Sequence, residues 1–315
     1  MIQGEIRKNI AVGVTITSLI FAVPIYIPLL SVLCPLFIPL PILFYRLKLG
    51  RKSGAFVPIL SAAVMMTLAG GLSPGIAIFA ELMLAGFLLG ELSETKLSVE
   101  KTVMYVWIAV LLTGGLGLTV YGQISGNGIH TFLSDITKVF DDILTSLKED
   151  REISAEKILV ISEFIRQTRE VFLIIKPVLP GMAASSILFV IWANLLMAGP
   201  ILRNRGLTYP DFGPLNLWKV PEFMVWGVIG CGFMLILPDR FLKISGLNGL
   251  IILMTVYFFG GIAVISFYFE KKRFSLALRI FLYGLIALQV TFQFLVIALG
   301  FFDLWLDFRK IKSET

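Results

Sequence analysis

The feature that most constrains this chain is a repeated alternation: apolar runs of roughly 20 residues, about the length that crosses the hydrocarbon core of a bilayer as a helix, are separated by short charged clusters. Charged residues make up 15% of the chain and apolar ones 57%, too little charge to clothe a water-soluble domain of 315 residues. The expected fold class is therefore all-α: a polytopic transmembrane helix bundle of about nine spans with a small extramembrane helical insertion. The spans fall at 10–26, 28–45, 54–72, 74–92, 102–122, 177–199, 221–238, 245–269 and 277–301. The chain divides into a five-span region (1–122), a polar insertion (123–176) and a four-span region with a tail (177–315), together one membrane domain. Pro24, Pro28, Pro35, Pro39 and Pro41 interrupt the first two spans. A proline breaks a helix in lipid only where neighbouring protein satisfies the freed backbone groups, so a broken, tightly packed hairpin is expected there.

The net charge of +6 reads as topology. Basic residues sit at the ends of apolar runs: Arg7 and Lys8; Arg46, Lys48, Arg51 and Lys52; Arg203, Arg205 and Lys219; Lys271, Lys272 and Arg273. With nine spans these clusters share one side, which the positive-inside rule makes cytoplasmic, N-terminus included. The tail residues Arg309, Lys310 and Lys312 conflict with that count, because an odd number of spans sends them to the other side. The distribution gives no nucleic-acid footprint. Met1 to Asn9 leads into a long apolar run without a small-x-small cleavage site, so it reads as a retained first span. Cys34 and Cys231 lie within apolar runs and read as buried thiols.

The insertion carries Phe132, Ile136, Val139, Phe140, Ile143, Leu144 and Leu147 at helical spacing, then Ile158, Ile161, Phe164, Ile165 and Phe172. Two helices folded on each other outside the membrane are expected; a helix lying on the headgroups and a partner-docking surface are the alternatives.

The motifs of soluble catalysis do not occur. The single histidine, His130, rules out a His-Glu-x-x-His zinc helix and any Ser–His pair inside the membrane. Gly50-Arg51-Lys52-Ser53-Gly54 lacks the spacing of a phosphate-binding loop, and Asp211-Phe212-Gly213 stands without other kinase elements. The expectation is no enzyme, no cofactor and no metal. Polar groups at membrane depth are then the best pointers, since each is costly in hydrocarbon and must face protein or water. Glu81 lies near the centre of the fourth span; as a ligand it would hold a cation, a proton or an amine, and as structure a neighbouring helix. Gln289 and Gln293 share a face of the ninth span, and Asn194 and Asn248 lie in the sixth and eighth. The candidate ligand-binding set is Glu81, Asn194, Gln289 and Gln293. Gly86 and Gly90, and Gly114, Gly115 and Gly117, suit close helix approach.

Longer stretches carry a resemblance. Lys176-Pro177-Val178-Leu179-Pro180-Gly181, Trp192-Ala193-Asn194, Arg203-Asn204-Arg205-Gly206, Trp218-Lys219-Val220-Pro221-Glu222-Phe223-Met224-Val225-Trp226 and Gly300-Phe301-Phe302-Asp303-Leu304-Trp305 are similar to the YybS-like family of bacterial membrane proteins. That resemblance implies an inner-membrane location and no assigned activity. The N-terminal half also resembles, distantly, the substrate-binding S components of energy-coupling-factor transporters, although Ala11, Gly13 and Thr15 lack their Ala-x-x-x-Ala docking spacing. The resulting expectation is a small-molecule binding or transport component using Glu81 and Asn194. Its alternative is a structural or interaction protein of the cell envelope that docks through the insertion and the loop Tyr209 to Trp218. An intramembrane enzyme ranks third, since no pair of carboxyls lies at helical spacing inside a span. The lipid bilayer, membrane proteins and a small-molecule ligand are the expected partners.

Overall fold

In the computed structural model, residues 3–27, 30, 33–71, 74–95, 97–124, 145, 155–207 and 212–310 are described. The helices are α1 (Gln3–Tyr26), α2 (Cys34–Phe37), α3 (Pro39–Gly54), α4 (Phe56–Leu68), α5 (Pro74–Ser93), α6 (Val99–Ile124), α7 (Ala155–Ile175), α8 (Leu179–Asn204), α9 (Met224–Ile236), α10 (Arg240–Lys271), α11 (Leu276–Leu288) and α12 (Val290–Leu306). No strand occurs among the described residues. The all-helical membrane architecture expected from the sequence is what forms. Among the described residues five stretches are long and apolar enough to cross a bilayer: Gln3–Pro24, Gly75–Ser93, Val99–Val120, Leu159–Asn204 and Arg240–Lys271. The α11–α12 pair makes a sixth if taken as one span, although it bends by 103°.

Four of the expected spans, the second, third, seventh and ninth, differ from these. The second is split: α2 is a four-residue helix with Pro35 in its first turn, and α3 starts at Pro39. This is the broken hairpin that the prolines demand. α3 is kinked again at Gly50, whose φ of 77° lies in a region that glycine adopts without a Cβ penalty. The third and seventh segments become helices of 13 residues, each about 20 Å long. The ninth turns back at Gln289, whose extended backbone (φ −111°, ψ 112°) ends α11 and begins α12.

That return resolves the conflict over the C-terminal tail. The Tyr268 hydroxyl donates to the Phe308 carbonyl at 2.8 Å, and Lys219 pairs with Asp307. The Arg309 guanidinium, buried, binds Asp303 at 2.6 Å and the carbonyls of Asn216 and Trp218 at 2.7 and 2.9 Å. Asn216 in turn donates to Glu270. The tail therefore lies at the end of the bundle where α10 finishes with Lys271. At the same end the Trp218 indole donates to Glu100 at the start of α6 and Lys48 binds Asn9 of α1. The basic clusters, with Arg309 and Lys310 of the tail, thus gather at one end, and α11 and α12 leave it and come back; Lys312 lies outside the described residues.

Two buried clusters hold the bundle. One joins α3, α5, α6, α8 and α10 around Leu89, Val106, Ile191, Trp192, Leu195 and Tyr257; the other joins α1, α3, α4 and α5 around Ile42, Met65 and Phe79. Close approach depends on glycine where helices cross. A Cβ on Gly261 would stand 1.9 Å from the Val296 carbonyl oxygen, one on Gly300 2.0 Å from that of Tyr257, and one on Gly86 2.3 Å from that of Pro39. At the basic end Arg46, 3% exposed at its side chain, binds Glu91 through Nε and Glu94 through both terminal nitrogens, each at 2.8 Å. The Arg46 guanidinium holds the Glu94 carboxyl below the ordinary carboxylate range.

α7 runs into α8 through a single 3₁₀ turn at Lys176–Val178, and Leu159–Asn204 forms one stretch of 46 residues. That is about 69 Å, more than twice a hydrocarbon core, so α7 extends beyond the end opposite the basic clusters. Of the periodic residues expected in the insertion, Ile165 is buried; His130 and the stretch Phe132 to Leu144 lie outside the described residues, as do 208–211 of the Tyr209-to-Trp218 loop.

Candidate functional site

The four intramembrane amides singled out above, Asn194, Asn248, Gln289 and Gln293, lie at three helix breaks. At the α7–α8 junction Pro177 and Pro180 interrupt the backbone. In an uninterrupted helix the Gly181 N–H would bond the Pro177 carbonyl. Here the Asn248 amide of α10 stands between them: its nitrogen donates to the Pro177 carbonyl at 3.0 Å and its oxygen accepts from the Gly181 N–H. One side chain thus replaces the missing backbone bond with two. Gly181 is required for this fit, because a Cβ there would meet Asn248 Oδ1 at 2.6 Å and its Cα at 2.7 Å.

Asn194 of α8 does similar work at the α2–α3 break. It is fully buried, and its amide nitrogen donates to the Leu36 carbonyl on the turn before Pro39 and to Val190 of its own helix, both at 2.7 Å. Its Oδ1 has no partner among the described residues. At the α11–α12 bend, Gln293 donates to the Ala287 carbonyl at 3.1 Å, and Gln289 supplies the extended residue of the bend itself. Thus the expected ligand set is spread over three places: Asn194 between α8 and α2, Gln289 and Gln293 at the α11–α12 bend, and Glu81 between α5 and α6.

Glu81 differs in kind. It lies seven residues from Pro74 and twelve from Ser93 on α5, about 18 Å from the basic end by helical rise. Its neighbour is Thr113 of α6, whose hydroxyl reaches Glu81 Oε2 at 2.9 Å, the Ala109 carbonyl at 2.9 Å and the Val110 carbonyl at 3.1 Å. One hydroxyl hydrogen is divided among three acceptors, so the carboxyl is under-supplied with donors. Gly114 lies against it, with a Cβ position 3.7 Å from the carboxyl carbon.

The surroundings are open. α6 buries Thr102, Val103, Val106 and Val110, and then no residue from Leu111 to Val120 is buried. Leu112 and Leu116 are 63% and 65% exposed, and Ile78 beside Glu81 on α5 is 61% exposed. Positions 115 and 117 are glycines with nothing within 4 Å of where a Cβ would be. Among the described residues the half-buried Glu81 carboxyl thus lies on a stretch of α5 and α6 that other helices leave largely uncovered. A separate cavity of about 280 Å³ lies between α1, α2 and α5, lined by Ile20, Phe21, Cys34, Ile38, Phe79 and Leu82 among others. Its walls are apolar and Glu81 is not among them.

Comparison with known proteins agrees with this architecture. The family described as predicted membrane protein (DUF2232) matches residues 15–304. The chain belongs to that family. It is also similar to the uncharacterised protein YybS of Bacillus subtilis (strain 168), with 22% identity over 312 residues, covering 96% of this chain and 97% of that one. No solved structure matches it.

Sequence reasoning singled out Glu81 but missed Thr113, which is two elements of information away: a threonine among leucines and glycines is ordinary, and only the α5–α6 pairing gives it a role. The Arg46–Glu91–Glu94 cluster was missed for the same reason, since Arg46 read only as a topology charge.

Proposed function

We propose that this protein is a bacterial inner-membrane component, its basic end in the cytoplasm, that serves as a non-catalytic part of a larger membrane assembly. Its contact point is the half of α5 and α6 farther from the basic end, around Glu81. The observation that carries this reading is the loss of cover on α6 beyond Val110: among the described residues none from Leu111 to Val120 is buried, Gly115 and Gly117 have nothing within 4 Å of a Cβ position, and the Glu81 carboxyl meets Thr113 and Gly114 on this stretch. In lipid a polar side chain belongs against protein or water, and bare glycine faces suit helix association.

The test is photo-crosslinking in intact membranes, with a photoreactive residue at Leu112, Leu116 or Leu118 and a control at Val106, which is fully buried. Protein adducts at the first three positions and none at the fourth are expected. Adducts to lipid alone would sink the assembly reading.

The small-molecule reading keeps Glu81 as the ligand's contact, and the cavity between α1, α2 and α5 is the feature that favours it. The cavity's apolar walls and its separation from the carboxyl make it the second choice. Retention of a metabolite through gentle purification, lost in Glu81→Gln, would reverse the order.

A further inference from the structure

We infer that the occupant of the α5–α6 face is a transmembrane helix of another protein that carries a lysine or arginine at mid-bilayer depth. This rests on the assembly reading above and names the chemistry of its partner. The argument starts from what Glu81 lacks. An ionised carboxylate has about four acceptor sites, and among the described residues its one donor is a Thr113 hydroxyl shared with the Ala109 and Val110 carbonyls. Charged groups at this depth pair with opposite charges or face water.

No cation on the helices around α5 reaches it. α4 and the membrane-depth part of α6 contain no Lys or Arg, nor does α8 between Leu179 and Leu202. α1 carries Arg7 and Lys8 only near its start. On α3, Arg46 is held by Glu91 and Glu94 at the basic end. A second copy of the chain would not supply the charge either. Among the described membrane helices, Arg240 and Lys243 open α10 at the opposite end, and Arg279 binds the carbonyls of Phe274 and Phe269 where α10 passes into α11. Among the described residues no cation of this chain pairs with Glu81, and the complementary charge is assigned to a different protein.

The shape of the face agrees with a helix as its bearer. Gly114 lies against the carboxyl, Gly115 and Gly117 leave open backbone further along α6, and Leu112, Leu116 and Ile78 are exposed apolar side chains on the same stretch of the two helices. Small residues let helix backbones approach closely, and the aliphatic stem of a lysine or arginine suits the leucine rim.

The experiment uses the full-length protein, labelled with a donor fluorophore, in phosphatidylethanolamine–phosphatidylglycerol vesicles. Acceptor-labelled Leu/Ala transmembrane peptides carry Lys, Leu or Glu at their centre. The central-Lys peptide is expected to associate about ten-fold more tightly than the central-Leu peptide. Glu81→Gln, which keeps the side-chain shape, and Glu81→Leu should both abolish that preference, and Glu81→Lys should transfer it to the central-Glu peptide. Equal binding of the Lys and Leu peptides, or a preference that survives in Glu81→Leu, overturns the inference. Energy transfer between labelled copies of the protein that disappears in Glu81→Leu would assign the face to a second copy, and also overturns it. If Leu116 still crosslinks to a protein in native membranes while the peptides show no charge preference, the assembly reading stands and the charge assignment falls; if crosslinking fails as well, both fall.

Discussion

Replacing Asn248 with leucine tests how the broken helices of this bundle are held. The substitution keeps the number of side-chain heavy atoms but removes the amide that bridges Pro177 and Gly181. The Pro177 carbonyl loses its donor and the Gly181 N–H its acceptor. The third bond, from Asn248 to the Ile244 carbonyl at 2.7 Å, counts for little, because that carbonyl lies four residues back on the same helix and keeps its backbone donor. Each unsatisfied buried group costs about 1–3 kcal/mol, and Asn248 lies eight residues inside α10, about 12 Å along it, where water gives little relief. The expected loss is about 2–6 kcal/mol for the two groups. A lone interhelical side-chain bond in a membrane protein averages about 0.6 kcal/mol, and Ser185→Ala, which removes the hydroxyl contact with Thr255, is the matching control on the same pair of helices. Reversible unfolding in mixed micelles, by steric trapping or SDS titration, reads both. If Asn248→Leu costs no more than Ser185→Ala, the amide is not standing in for the missing helical bond and the reasoning fails.

Other consequences follow from the same contacts. Gly261→Ala and Gly300→Ala force a Cβ onto backbone oxygens across the α10–α12 crossing, and each should lower stability by about 1–3 kcal/mol, measured in the same unfolding assay; Gly284→Ala, with open space around it, should not. Because Arg46 depresses the Glu94 carboxyl, that bond is complete at neutral pH and is lost as the pH falls through the lowered value. Wild type should therefore be more stable than Glu94→Gln near neutrality and converge with it in acid, and a difference that persists unchanged into acid would contradict this. Single cysteines at 272 and 310 should react with an impermeant thiol reagent from the same side of the membrane; opposite sides would refute the return of α11–α12.

The sequence made much of this legible because one solvent imposes most of it. Twenty-residue apolar runs and terminal basic clusters announce helices and their common end, and the prolines announce the α2–α3 break. What the sequence leaves hidden are pairings between distant elements. Asn194 and Asn248 look alike as polar residues in apolar runs, and only the packing of α8 on α2 and of α10 on the α7–α8 junction shows each serving a break elsewhere. The α11–α12 bend has neither proline nor glycine at Gln289, so an apolar run there reads as one straight span. The return of α12 is fixed instead by the glycine crossing with α10 and by the Arg309 contacts, both long-range. Glu81 is visible in the sequence as a cost; its partly open surroundings follow from the exposure of α6 between Leu111 and Val120, which depends on how α6 packs on α5 and α8.

The central claim is that the amides of this bundle hold the fold whereas Glu81 is reserved for a partner. Groups kept for binding contribute little to the stability of the free protein, and replacing them is often neutral or stabilising. The most direct measurement is the unfolding free energy of purified Glu81→Leu against wild type in the same micelle. The account predicts a change within about 0.6 kcal/mol, the size of a single hydrogen bond in a membrane protein, or a gain in stability. A loss as large as that of Asn248→Leu would make Glu81 one more structural group, and would contradict the account.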